Sequence, residues 1–180
     1  PGDPAAMHLI RALGTVGDSS DVERLARWLR NGTDWRTRVD AARSLASLPN
    51  TKAGRAALVN ALGDDHPLVA RTAAETLAGV DWTGETRTGV TVWIDAHPDH
   101  WRVVAPLLRG LAQNERPRRA LRTVERWRNE RSPVAYAAAL PALAPLDTAR
   151  ADALLTEALR SDDMRVAAAA VQALGARWER

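Results

Sequence analysis

The sequence predicts an all-α fold, a solenoid of about five and a half stacked helix pairs. Three observations carry this. A leucine between small residues recurs as Ala12-Leu13-Gly14, Ser44-Leu45-Ala46, Thr76-Leu77-Ala78, Gly110-Leu111-Ala112, Ala142-Leu143-Ala144 and Ala173-Leu174-Gly175, at intervals of 32, 32, 34, 32 and 31 residues. Residues three, four and seven places earlier are mostly apolar or small: Ala42 and Ala41; Ala74, Ala73 and Ala70; Leu108, Leu107 and Val104; Leu140, Ala139 and Tyr136; Val171, Ala170 and Ala167. That spacing is one face of a helix, here the B helix of each pair. A second series, Leu29, Leu62, Ile94, Trp127 and Leu159, each preceded by Leu25, Leu58, Val90, Val124 or Leu155, marks the A helices. One pair cannot bury its apolar face alone, but stacked pairs can.

In chain order, residues 4–16 read as a lone B helix. Pairs follow at about 19–48, 51–80, 83–113, 116–146 and 148–178. The turns between A and B helices, such as Asn31-Gly32-Thr33-Asp34 and Ser161-Asp162-Asp163, place an Asp or Ser ahead of the B helix, where its oxygen satisfies orphan N–H groups. Proline in the first turn, as at Pro67, removes only an N–H without a helical partner. The third A segment, Thr83 to Asp95, holds Gly84, Gly89, Thr86, Thr88, Val90, Thr91 and Val92, and Thr88 to Ile94 favour a strand by propensity. The flanking period places a helix there. Pro106, Pro141 and Pro145 lie within B segments, where each removes a hydrogen bond and bends the helix. The chain opens Pro1-Gly2-Asp3 with a B helix and no A helix before it, so the expectation is a fragment preceded by further repeats or another domain.

Composition agrees. Among 25 basic residues only Lys52 is not arginine, and 35 residues are alanine, the best helix former and small enough for close helix approach. The absence of cysteine excludes disulfides and thiolate metal sites, and is compatible with a cytoplasmic location, which is the expectation. No apolar run approaches the ~18 residues of a membrane span, so no membrane insertion is expected. There are seven tryptophans and no phenylalanine. Trp28 and Trp93 share one register position, and so do Trp35 and Trp101, which favours packing between units.

The layout resembles the HEAT repeat family, in the short bacterial form also seen in phycobilisome-lyase-type repeats. The segments 64–77, from Asp64-Asp65-His66-Pro67-Leu68-Val69 to Leu77, and 161–175, from Ser161-Asp162-Asp163-Met164-Arg165-Val166 to Gly175, carry the likeness best. They are similar to the family's aspartate turn, Val-Arg step and Ala-Ala-x-x-Leu-Gly pattern. The resemblance covers nearly the whole chain. It implies a right-handed α-solenoid whose B helices line the concave side, and it says almost nothing about activity.

With each marked leucine as position zero, positions −9, −5, −2 and +2 point away from the core. The candidate partner-binding groove is then Arg11, Asp40, Arg43, Thr72, Glu75 and Arg109, followed by a small apolar stretch of Val134, Ala138, Pro141 and Ala169. Arginine's planar fork suits carboxylate or phosphate, so an acidic or extended protein or peptide is the expected partner. The −9 arginines, Arg36, Arg102 and Arg165, are expected to pair with Asp34, Asp65, Asp99 and Asp162 in a ladder that holds repeats together, as such arrays commonly do.

Residues 102–131 hold nine arginines against three acids, a local +6 that leaves −3 for the rest of the chain. On the fourth A helix Leu121, Val124 and Trp127 face the core, while Arg118, Arg122 and Arg126, with Arg119 nearby, form a basic stripe on the convex surface. It reads either as a solvated face or as a nucleic-acid footprint. Asp95, His97, Asp99 and His100 have zinc-like spacing. His66 and Asp65 occupy the same register as His100 and Asp99, so turn capping is the expectation and no metal is assigned. There is no Gly-rich phosphate loop, no Gly-x-Ser-x-Gly elbow and no His-Glu-x-x-His. No cofactor and no catalytic residue is expected. The leading expectation is a non-catalytic binding or scaffold module. The alternatives are a nucleic-acid-binding array like the DNA-alkylation-repeat glycosylases, with Trp35, Asp40 and Trp101 at a basic groove, or an accessory docking domain of a larger enzyme. The oligomeric state stays open.

Overall fold

The computed structural model describes residues 4–114, 117–130 and 132–178. Among them all regular structure is helical. The chain divides into two compact units between His97 and Pro98, inside the third expected pair.

The first unit holds α1 (Pro4–Val16), α2 (Ser19–Asn31), α3 (Trp35–Ser44), α4 (Lys52–Ala61), α5 (Pro67–Ala78) and α6 (Gly84–Ala96). B helices α1, α3 and α5 pack in a row, with α2, α4 and α6 as the second layer. Their starts are explained by side-chain caps. Asp18 forms a capping box with Asp21, Asp34 accepts from the Arg36 N–H, and Thr51 and Thr83 accept from Gly54 and Thr86. The core is the predicted pair of series: Leu25, Leu29, Leu58, Leu62, Leu77 and Val90 are at most 4% exposed.

The Thr83 to Asp95 segment is helical, as the period requires. Tertiary packing overrides its β propensity. Gly89 is needed there, because a Cβ would stand 2.8 Å from Val59 Cγ1 on α4. Buried Trp82 anchors the entry to α6 by donating Nε1–H to the Leu77 carbonyl at 2.7 Å.

The B row is also locked by a repeated hydrogen bond. At position −1, the Ser44 hydroxyl donates to the Ile10 carbonyl (3.0 Å) and the Thr76 hydroxyl to the Ala42 carbonyl (3.1 Å). Both acceptors are at position −3 of the preceding B helix. A carbonyl already in a helical bond has a second lone pair, so these buried hydroxyls are satisfied without unwinding the neighbour.

The second unit holds α7 (Trp101–Gln113), α8 (Pro117–Asn129), α9 (Pro133–Ala139), a 3-10 turn (Leu140–Leu143), α10 (Ala149–Leu159) and α11 (Met164–Trp178). Pro106 sits inside a continuous α7. Pro141 acts more strongly, since α9 stops before it and the 3-10 turn takes over. The carbonyls at this tightened end are filled from α11. The Arg177 guanidinium donates to Leu143 (3.0 Å), Ala144 (3.2 Å) and Leu146 (2.6 Å), and pairs with Asp152. Trp127 is the bulkiest fully buried side chain of the chain's described core.

Two core expectations are corrected. Val171, at position −3, is 60% exposed, and Leu159 is 40% exposed. Both lie on the last described pair, where no further described helix covers them.

Candidate functional site

The B helices present positions −9, −2 and +2 to solvent, but −5 is a correction. Asp40 is 5% exposed and Thr72 is 9% exposed. A B helix is covered by its A helix and also by the B helix before it. That second cover widens the buried arc until it reaches −5, one step round from the −1 contacts.

Asp40 is therefore an anchor between helices. It accepts from Arg11 Nε at 2.9 Å, with Nη2 also at 2.9 Å, joining α3 to α1. Arg11 stays largely exposed. Arg43 lies 4.0 Å from the same carboxylate with 70% of its side chain exposed. Glu75 pairs with Arg71 at 2.7 Å on α5. Arg109, in the second unit, is exposed and has no ion pair or hydrogen bond among the described residues. The arginines that stay available are thus Arg11 in part, Arg43 and Arg109.

The −9 arginines do not form the expected ladder. Arg36 lies 4.4 Å over Trp35, with Asp34 of its own turn at 3.8 Å. Trp35 in turn stacks on His66 at 4.2 Å, nearly parallel. Arg102 lies 4.6 Å over Trp101. Arg165 pairs with Asp163, not Asp162, at 2.7 Å. These contacts brace each turn. Arg165 holds the Asp163 carboxyl down to about 2.

The link between turns is Arg38, which the register reading missed. Its Nε and Nη2 donate to both oxygens of Asp64 at 2.8 Å, Nη2 also reaches Asp65 at 2.8 Å, and Nη1 donates to the Gly32 carbonyl at 2.9 Å. Burial works against the Asp64 charge, but the bonds from Arg38 and from the His66 N–H outweigh it and hold the carboxyl below its usual range. The same bond raises Arg38. A signal existed in the sequence. Position −7 is otherwise Ala6, Ala70, Val104, Tyr136 and Ala167, and an arginine on a core-facing position needs a paired carboxylate.

The basic stripe is only partly as expected. Arg118 and Arg122 are exposed on α8, and Arg119 is half-buried. Arg126 is drawn inward, donating to the Pro98 carbonyl at 2.8 Å with Glu130 at 3.2 Å. Arg128 donates to Glu157 at 2.8 Å. Leu121 is half-buried, while Ala120, Val124 and Trp127 form the buried face. Glu115, Arg116 and Arg131 lie outside the described residues.

His66 and His100 both cap B helices through their backbone carbonyls, without a side-chain cap bond. The turn ahead of α5 is organised by Asp64, which accepts from the His66 N–H at 2.9 Å. His97 stacks on Trp93 at 4.5 Å. Among the described residues no three acids and histidines converge as metal ligands.

A groove of about 910 Å³ in the second unit, bordered by Trp127, Arg128, Tyr136, Asp152, Glu157 and Asp163, has no counterpart in the sequence reading. It forms where the shortened α9 meets α8, α10 and the start of α11. Its charges are largely paired internally, through Arg128–Glu157, Arg177–Asp152 and Arg165–Asp163. Burial pushes the Tyr136 hydroxyl up, away from ionisation, and it donates to the Leu154 carbonyl.

Stacked two-helix units, locked B to B at one register and carrying their free charges on outward strips, define a helical-repeat protein. The family model for HEAT repeats matches residues 22–125, more than half of the chain. The chain belongs to the HEAT repeat family. No curated protein matches it. HEAT repeats generally serve as protein-interaction scaffolds and are typically non-catalytic. No described helix is long and apolar enough to cross a membrane.

Proposed function

We propose that the chain is a non-catalytic binding module that holds an acidic protein or peptide segment on its outward B-helix arginines. One observation carries this reading: Arg109 is an exposed guanidinium with no ion pair or hydrogen bond among the described residues, and Arg43, 70% exposed, is held only at 4.0 Å by Asp40, whose carboxylate is already bonded by Arg11. Unpaired guanidinium forks can exchange water for partner carboxylates at little internal cost. The marked leucines recur every 31 to 34 residues in the sequence of both units. Binding of a labelled Asp/Glu-rich peptide should weaken several-fold in Arg43→Glu and in Arg109→Glu, and should fall with salt. Unchanged binding in both variants moves the site elsewhere.

A second reading, nucleic-acid binding, rests on exposed Arg118 and Arg122, one turn apart on α8. A salt titration separates the two. Phosphate contacts are strongest at low salt, so no DNA or RNA binding at ~50 mM salt removes it.

A further inference from the structure

In the first unit successive A helices meet at glycines. A Cβ on Gly54 of α4 would stand 3.2 Å from Val22 Cγ1 of α2, and one on Gly89 of α6 would stand 2.8 Å from Val59 Cγ1 of α4. The A helices α8 and α10 of the second unit are joined by long side chains instead, Arg128 to Glu157 at 2.8 Å and Arg150 to Glu125 at 2.5 Å. The first of these pairs borders the groove of about 910 Å³, which is at the upper end of the size of small-ligand sites. Its walls are the end of α8, the start of α9, α10 and the start of α11, so it is a recess between helices of the chain and not an end face. Ala149, Ala153 and Thr156, one turn apart on α10, are exposed along it.

Among the described residues, Asp152, Glu157, Asp162 and Asp163 line the groove against Arg128 and Arg160. The pairing of these charges is uneven. The carboxylate is the more exposed partner both in Glu157–Arg128, with side chains 59% and 30% exposed, and in Asp152–Arg177, with 52% and 20%. Arg128 engages Oε2 of Glu157, and Arg177 engages Oδ1 of Asp152, so the other oxygen of each carboxylate has no partner among the described residues. Asp162 is exposed, with no ion pair or hydrogen bond among them. Asp163 alone is fully engaged, with both oxygens bonded by Arg165. Arg160 is exposed as well, which leaves three open acids against one open guanidinium. The groove thus presents hydrogen-bond acceptors, in a chain whose formal charge is +3.

We propose that this groove is a second binding site, which takes a basic peptide segment of a partner protein. Arginine or lysine heads of the segment take the free oxygens of Glu157, Asp152 and Asp162, and their aliphatic stems lie along the small side chains of α10. A carboxylate accepts about four hydrogen bonds, so the guest adds to the Arg128–Glu157 and Arg177–Asp152 pairs without displacing them. The charge preference is opposite to that of Arg43 and Arg109, and the site does not rest on them.

The test is fluorescence anisotropy in about 150 mM salt, where distant surface charges are largely screened. A labelled peptide of alternating arginine and alanine should bind the unsubstituted chain. Asp162→Asn and Glu157→Gln should each weaken it about two- to fivefold, the range of an exposed ion pair. Ala153→Trp puts an indole into the groove from an exposed helical position and should remove most of the binding, with helix content unchanged by circular dichroism. Glu23→Gln makes the same change of charge on α2 of the first unit, outside the groove, and should have no effect. No binding by the unsubstituted chain overturns the proposal. So does binding retained in both Ala153→Trp and Asp162→Asn, or a loss in Glu23→Gln as large as in Asp162→Asn. The Asp/Glu-rich peptide should bind Ala153→Trp as it binds the unsubstituted chain, so each of the two sites can fail without the other.

Discussion

The two units meet the same packing demand with different chemistry. In the first, successive B helices are fastened by buried hydroxyls at position −1, Ser44 to Ile10 and Thr76 to Ala42, and adjacent turns by Arg38 on Asp64 and Asp65. In the second, position −1 is Gly110, Ala142 and Ala173, which have no hydroxyl to offer. Its B helix is broken at Pro141, and one guanidinium, Arg177, reaches three carbonyls at the broken end. A repeat register therefore fixes where helices sit but not which interaction secures them. Distributed locks suit straight helices. A proline-interrupted helix concentrates its unsatisfied carbonyls at one end, where a single five-donor side chain can serve them.

The largest expected effect breaks the second unit's lock. Arg177→Met keeps the aliphatic stem but strands carbonyls and Asp152, and should lower stability by about 2–3 kcal/mol in urea denaturation. A loss below a few tenths would mean that water replaces the guanidinium freely. Arg38→Met should cost about as much or slightly less, because Asp64 is left partly buried and unpaired. Adding Asp64→Asn should recover part of the loss, and a double-mutant cycle without coupling would contradict the link.

Glycines at one register position sharpen the contrast between a covered and a bare face. Gly14→Ala should destabilise by about 1–3 kcal/mol, because its Cβ collides with Ser44, including the Cα at 3.0 Å. Gly175→Ala should stabilise by up to about 1 kcal/mol, from helix propensity alone. Equal signs in thermal melts would mean that the two faces are equally covered. Removing one hydroxyl lock, Thr76→Val, should cost about 1 kcal/mol. Ala142→Ser should give no matching gain, since position 142 lies in the 3-10 turn and not in a straight α-helix like those of Ser44 and Thr76.

The smallest effect is in acid. Asp163 titrates at about 2 when folded, below its ordinary 3.8. Its contribution is complete above that ordinary value and disappears as pH falls through about 2. Asp64 moves in the same direction in the first unit. Carboxyl NMR should show Asp163 still ionised at pH 3, and midpoint titration near 4 would show that the Arg165 pair is open in solution.

Much of the fold was legible because helical burial repeats with a fixed period. Leu45, Leu77, Leu111 and Leu143 mark real core positions, and the register carried the β-branched Thr83 to Asp95 segment correctly into a helix. The site was less legible. Arg11, Arg43 and Arg109 are outward, as the wheel predicts. Asp40 and Thr72 are not, because a wheel drawn for one helix does not contain the neighbour that covers position −5. Arg36, Arg102 and Arg165 were near aspartates in sequence and found partners inside their own turns. Arg38 was the cross-turn link.

By itself the sequence determined the helices and the seam of small residues, since each depends on local chemistry repeated every 32 or so residues. Only the tertiary structure decided which charges are consumed and which faces are bare. An arginine's reach spans several possible partners, and burial at the edge of a helix face is set by the helix packed against it. Asp40 and Val171 show both outcomes: a charge that turned inward as an anchor, and an apolar residue left facing solvent.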